Sequence, residues 1–114
     1  MEFKTLESGY GCFRRGESWL IASPFKVVKF IENRGRIWAI DEDGKLNWTS
    51  NDGEYRWHKE ARADGAGWWI IEGKKIVDIT DLVDCIGVIT GDGCKYLLTG
   101  TDNSNFIMEE EKGE

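Results

Sequence analysis

Lys45-Leu46-Asn47-Trp48-Thr49, a turn through Asn51-Asp52-Gly53, then Glu54-Tyr55-Arg56-Trp57-His58: this stretch decides the fold, and its period is two. Leu46 and Trp48 fall on one side of the first segment, with Lys45, Asn47 and Thr49 on the other. Tyr55 and Trp57 alternate in the same way with Arg56 and His58. Successive strand side chains point to opposite faces, so this alternation is the signature of half-buried strands. Upstream, residues 25–32 and 36–41 are apolar on both faces, as strands in the middle of a sheet are. Asn33-Arg34-Gly35, Asp41-Glu42-Asp43-Gly44 and Asn51-Asp52-Gly53 each place a glycine where the chain must reverse. Trp38, Trp48 and Trp57 each follow one of these glycines and are expected to share the core side of a β-meander.

Downstream the pattern persists. Trp68-Trp69-Ile70-Ile71-Glu72, Gly73-Lys74 and Lys75-Ile76-Val77-Asp78-Ile79 read as a two-residue hairpin that sets Ile71 opposite Ile76. Cys85-Ile86-Gly87-Val88-Ile89-Thr90 and Cys94-Lys95-Tyr96-Leu97-Leu98-Thr99 form another around Gly91-Asp92-Gly93. That register puts Cys85 opposite Thr99 and Cys94 opposite Thr90, so the two thiols are not cross-strand partners. Helix signals are sparse: residues 80–84 read as one turn capped by Thr80, and residues 59–66 as a short helix or loop. The fold class expected is all-β, a small antiparallel meander forming a barrel or sandwich with at most one or two helical turns. Residues 1–108 read as a single β domain and residues 109–114 as a disordered acidic tail.

At 114 residues the chain suits one domain that hides about two thirds of its surface without disulfides or metals. Its net charge of −6 is unevenly placed: residues 1–59 carry ten basic and nine acidic side chains, residues 60–114 five and twelve. A net anion repels phosphate backbones, so general nucleic-acid binding is not expected, and the acidic half favours a basic protein partner. Three dispersed cysteines, a polar start and the lack of any long apolar run point to a cytoplasmic protein with free thiols, off the membrane.

Catalytic and metal-binding patterns are weak. His58 is the sole histidine, and no nucleophile stands in a recognisable relation to it in sequence. One histidine and three scattered cysteines lack zinc spacing. Asp41-x-Asp43-Gly44 resembles the start of a calcium loop but lacks its later ligands, so a hairpin turn explains it. No phosphate-binding loop is present, and no pair of carboxylates is fixed at a glycosidase separation. Neither metal nor cofactor is expected.

The six tryptophans carry the functional expectation, since so small a core cannot hide them all beside five phenylalanines and three tyrosines. Adjacent Trp68 and Trp69 must point to opposite faces of a strand, so one of them is a binding candidate. The leading reading is a non-enzymatic acidic module that recognises another protein through an aromatic-centred face. Its size and charge suit a phage- or virus-type inhibitor of a host enzyme. The runner-up binds a small anionic ligand or nucleotide through the first-half basic set Arg14, Arg15, Lys26, Lys29, Arg34 and Arg36 and the nearby aromatics Phe13, Phe25, Phe30 and Trp38, with Arg34, Arg36 and Trp38 singled out. A small hydrolase comes third.

Overall fold

The computed structural model describes residues 2–50, 55–59, 71, 73–101 and 106–111. Among them lie β1 (Phe3–Thr5), β2 (Tyr10–Arg15), β3 (Ser18–Asn33), β4 (Arg36–Asp41), β5 (Leu46–Ser50), β6 (His58–Lys59), β7 (Ile76–Asp81), β8 (Ile86–Thr90), β9 (Lys95–Thr99) and β10 (Ile107–Glu110). The first six make one sheet in chain order, and the last four a second in the order β10-β9-β8-β7. Every neighbouring pair is antiparallel. The all-β meander is therefore present. The sheets do not close into a barrel; they pack on each other as a sandwich.

β3 is sixteen residues long and changes partner midway. Its first half pairs with β2, as in Cys12↔Ile21 and Phe13↔Leu20, and its second with β4, as in Ile31↔Trp38 and Glu32↔Ile37. Pro24 lies between Ile21 and Lys26, where pairing with β2 is interrupted; Tyr10↔Lys26 resumes it before β4 takes over at Val27↔Asp41. Proline has no N–H to give a ladder, so it sits where pairing lapses. A register shift between Val27 and Lys29 adds a bulge, and bulges bend strands. Ser23 bridges the gap: its Oγ accepts from the Gly11 N–H at 2.8 Å and donates to the Phe25 carbonyl at 2.7 Å.

β4 is buried on both faces, as its continuous apolar run requires. Ile37 enters a small core with Phe13 and Tyr55, edged by Phe3, Ala22, Phe30 and Trp57. Trp38 and Ile40 enter the main core between the sheets, with Leu46, Ile76, Ile79, Ile86, Val88, Tyr96, Leu98, Phe106 and Met108. Each such side chain contributes about 1.5–3 kcal/mol on burial, which makes this inter-sheet layer the principal source of stability.

Trp38, Trp48 and Trp57 do not share a face, contrary to the sequence expectation. Trp38 pairs with Trp48 across β4 and β5, and His58 takes the third place in that row on β6. With His58 in register, the period of two sends Trp57 to the opposite side and into the smaller core.

The C-terminal hairpin has the expected register: Ile86↔Leu98 and Val88↔Tyr96 carry Cys85 towards Thr99, and the Thr90 N–H reaches the Cys94 carbonyl at 3.1 Å. All three cysteines are unpaired. The helical turn expected at residues 80–84 is absent. β7 continues through Asp81, and Leu82 donates to the Cys85 carbonyl at 3.0 Å to close a hairpin instead. β10 takes in Glu109 and Glu110, opposite Leu97 and Tyr96, and the Glu111 N–H reaches the Lys95 carbonyl at 2.9 Å. These three glutamates thus extend the sheet, where the sequence suggested a disordered tail. Backbone pairing with β9 orders them while their carboxylates remain in solvent. Such charges also discourage further pairing on an outer strand. The expected Ile71–Ile76 pair is not formed: the Lys74 N–H closes a local turn on the Ile71 carbonyl at 3.0 Å, and Ile76 pairs with Thr90 while its N–H turns to Gly44. Glu72 lies outside the described residues. Residues 60–70 lie outside the described residues.

The sheets are also fastened by polar contacts. Buried Asn33 donates from Nδ2 to Asp81 Oδ1 at 2.7 Å and to the Val83 and Cys85 carbonyls at 3.2 and 3.3 Å. Its Oδ1 accepts from Thr101 Oγ1 at 2.8 Å. At the opposite end, the Ile76 N–H donates to the Gly44 carbonyl at 2.9 Å. Lys29 and Asp78 form an ion pair between β3 and β7; both are well exposed, so its worth is at most about 1 kcal/mol.

Candidate functional site

The change of partner in β3 opens a cleft of about 500 Å³ lined by Tyr10, Pro24, Phe25, Lys26, Asp41, Glu42, Asp43, Asn47 and Trp57. One wall is the segment Pro24-Phe25-Lys26, which runs from the interruption in β2 pairing to the Tyr10↔Lys26 pair. The other is the turn between β4 and β5. Trp57 lies between them, its Nε1–H donating to the Ala22 carbonyl at 2.7 Å and its ring meeting Phe25 edge-on at 5.0 Å.

The acidic turn is built from within. Asp41 Oδ1 accepts the N–H groups of Asp43 and Lys45 at 2.9 and 3.0 Å, and Oδ2 accepts Asn47 Nδ2 at 3.0 Å. Asp41 is thereby consumed in shaping the loop, while Glu42 and Asp43 stand exposed on the rim. This is the hairpin reading of the Asp-x-Asp-Gly motif, and no group of metal-ligating side chains occurs among the described residues. The lining therefore offers aromatic surface, two accessible carboxylates and a single ammonium, that of Lys26. Aromatic faces and carboxylates together suit a guanidinium or ammonium group.

The residues singled out from sequence lie elsewhere. Arg34 occupies the β3–β4 turn, where Nε donates to the Val83 carbonyl at 3.3 Å and Nη2 to Asp84 at 3.1 Å. Arg36 lies 4.3 Å from the centre of the Trp48 ring and 5.5 Å from that of Phe106. Trp38 is fully buried and presents no surface to a ligand, because β4 is covered on both sides. Arg36 and Trp38 meet on the same two rings, Trp48 and Phe106, while Arg34 lies in the β3–β4 turn. Trp68 and Trp69 lie outside the described residues. His58 stacks on Trp48 with centroids 4.3 Å apart, a partner that offers no nucleophile.

One further polar cluster, around Asp92 and Lys74, serves structure. Asp92 accepts from the Thr90 hydroxyl, from Lys74 at 3.0 Å and from the Cys94 N–H at 3.2 Å, which hold its carboxyl well below the usual range. Lys74 also donates to Tyr96 Oη at 2.7 Å, and this bond, with Asp92, raises the ammonium's affinity for its proton. An ammonium held charged in this way is no base or nucleophile at neutral pH. Burial pushes the Cys85 thiol up, away from the reactive thiolate.

Trp57 and Phe25 were visible in the sequence as strand residues due for burial, but their meeting, and Tyr10 beside them, were not. Pro24 inside an otherwise strand-like run was the available signal for a break in pairing. No helix among the described residues is long and apolar enough to cross a membrane. Neither the models of protein families, nor the curated proteins, nor the solved structures give a match to this chain.

Proposed function

We propose that the protein is a non-enzymatic binding module that recognises a protein partner by receiving its basic side chains in the Tyr10–Phe25–Trp57 cleft. The observation that carries this reading is the cleft's composition: aromatic walls with Glu42 and Asp43 on the rim. An arginine entering it stacks against the rings and meets the rim carboxylates, a pairing that favours arginine over lysine because the guanidinium is planar and bidentate. The overall charge of −6 adds long-range attraction for a basic partner. Size and charge suit a phage- or virus-type inhibitor of a host enzyme, acting in the cytoplasm with its thiols reduced.

Titration calorimetry with a short arginine-rich peptide, against the same peptide with glutamate in place of arginine, tests the reading. The arginine peptide is expected to bind at roughly micromolar to millimolar strength and more weakly in high salt. Asp43→Lys is expected to abolish the binding without unfolding the exposed turn. Equal binding of both peptides, or binding that survives Asp43→Lys, overturns the assignment.

A further inference from the structure

Two exposed apolar patches lie at opposite ends of β3. At its start, the register places Lys4, Cys12 and Ile21, with Arg14 and Trp19 beside them, on the sheet face away from Phe3, Phe13 and Leu20. Ile21 is 61% exposed and Trp19 36%. The Lys4 ammonium rests 3.9 Å from the Trp19 ring centre, and Arg14 is exposed nearby with an ion pair to Glu2 at 3.7 Å. At the far end of β3, Asn33 and Arg34 hold the β7–β8 turn. There Val83 is 73% and Leu82 45% exposed, between the exposed carboxylates of Asp81 and Asp84.

That turn is a rigid projection. Val83 sits at φ 72°, a conformation β-branched residues avoid. It is held there by four hydrogen bonds: its N–H to Asp81 Oδ1, its carbonyl to Asn33 Nδ2 and Arg34 Nε, and the neighbouring Asp84 N–H to the Leu82 carbonyl. The chain thus carries an apolar tip flanked by Asp81 and by Asp84, the latter paired with Arg34, and so net negative. Separately, it carries an apolar patch flanked by Lys4 and by Arg14, the latter paired with Glu2, and so net positive. At about 3.3 Å per residue the length of β3 between Ile21 and Asn33 spans up to roughly 40 Å, in a molecule 47 Å long. One copy cannot bring its own tip to its own patch.

The geometry points to a second copy of this chain as the occupant: the Leu82–Val83 tip of one molecule seats on the Trp19–Ile21 patch of the next, head to tail. Asp81 and Asp84 of the first then face Lys4 and Arg14 of the second. Such a heterologous contact uses different surfaces on the two molecules and leaves one tip and one patch open at the ends, so it propagates into rings or short filaments. It is independent of the cleft, which uses other residues.

Sedimentation velocity between about 10 µM and about 1 mM, the range in which small interfaces associate, reads the contact directly. The wild-type chain is expected to show mass rising with concentration, less so at high salt. Val83→Asn, which tolerates the backbone conformation, removes the tip; Ile21→Glu removes the patch and repels the acids. Each variant alone is expected to stay monomeric. An equimolar mixture is expected to form a dimer that grows no further, because only one live tip and one live patch remain. Circular dichroism verifies folding, with Leu82→Ser and Trp19→Ser as replacements for a variant that unfolds. A monomeric wild-type chain, a single variant that still associates, or a mixture of folded variants that stays monomeric overturns the proposal.

Discussion

Arg34 and Val83 are non-glycine residues at positive φ, 52° and 72°, and each steadies the other: the Arg34 Nε–H donates to the Val83 carbonyl at 3.3 Å. Arg34 and Gly35 both lie in the left-handed region, which gives the two-residue turn that matches the twist of β3 and β4. Val83 pays no such dividend to its own hairpin. A left-handed residue costs roughly 1–2 kcal/mol, and a glycine there loses part of that gain through its freer unfolded chain. Val83→Gly is therefore expected to stabilise the protein by up to about 1 kcal/mol. Urea unfolding checks this, and a loss of stability would show that contacts of the valine side chain outweigh the strain.

Asn33 has the opposite role. It is 2% exposed, and its amide serves Asp81, two carbonyls and Thr101 at once. Asn33→Ala leaves the buried Thr101 hydroxyl without its acceptor, while Asp81 and Val83 can still turn to water, and the expected loss is about 2 kcal/mol. The same unfolding measurement reads it. Thr101→Val, which removes one bond of the set, is expected to cost nearer 1 kcal/mol.

Acid should loosen this junction and the neighbouring Lys29–Asp78 pair. The Val83 N–H and then Asn33 hold the Asp81 carboxyl below its ordinary value, and Lys29 does the same for Asp78. A carboxyl whose affinity for protons is lowered by folding stabilises the native state above its unfolded value, about 3.9. That contribution is lost as pH falls through the folded value, because the unfolded chain binds protons more readily. The melting temperature is expected to be flat from neutrality to about pH 5 and to fall below about pH 4. Asp81→Asn, whose amide oxygen still accepts from Val83, is expected to lessen the fall; an identical acid profile would remove Asp81 from the account.

The sheet-forming segments were legible because apolar residues recur at period two, as at Leu46 and Trp48, although the polar Asn47 and Thr49 that alternate with them are buried as well and not solvated as their chemistry suggested. The register of the hairpin at Gly91-Asp92-Gly93 was legible too, since the turn fixes it. The allocation of faces was not. Trp57 follows its turn as Trp38 and Trp48 follow theirs, yet the pairing Trp48↔His58 puts it in the other core. Alternation tells which residues share a face and leaves open which face meets which partner. The cleft was hidden for a related reason: it lies where β3 passes from β2 to β4 just beyond Pro24, a long-range event. Likewise residues 80–84 carry a cap-like threonine and acids, but tertiary bonds from Asn33 and Arg34 hold them as a turn.

Gly44 and Gly93 separate backbone conformation from packing. Both sit at positive φ, 78° and 86°. A Cβ at Gly93 would meet open space, whereas one at Gly44 would lie 2.7 Å from Lys75 Cβ and 2.9 Å from Lys75 Cα. Gly93→Ala is expected to cost about 1–2 kcal/mol, the conformational term alone. Gly44→Ala is expected to cost more, because it pushes Lys75 and breaks the close approach that lets Ile76 bond to the Gly44 carbonyl. Equal losses would mean that this contact between the sheets yields freely.

Trp57 and Trp38 test whether the cleft or the core is being probed. Trp38 is wholly enclosed between the sheets, so Trp38→Ala is expected to cost about 3–5 kcal/mol. Trp57 is only partly buried, packed edge-on against Phe25 and bonded to the Ala22 carbonyl. Trp57→Phe keeps an aromatic wall but gives up that bond, for an expected loss of about 1 kcal/mol with arginine-peptide binding largely retained. Trp57→Ala removes the wall itself. Its binding of the arginine peptide is expected to weaken by about tenfold or more, equivalent to about 1.4 kcal/mol. Calorimetry alongside thermal melting distinguishes the outcomes: folded Trp57→Ala protein that binds the peptide as the wild type does would mean that the aromatic wall takes no part in recognition.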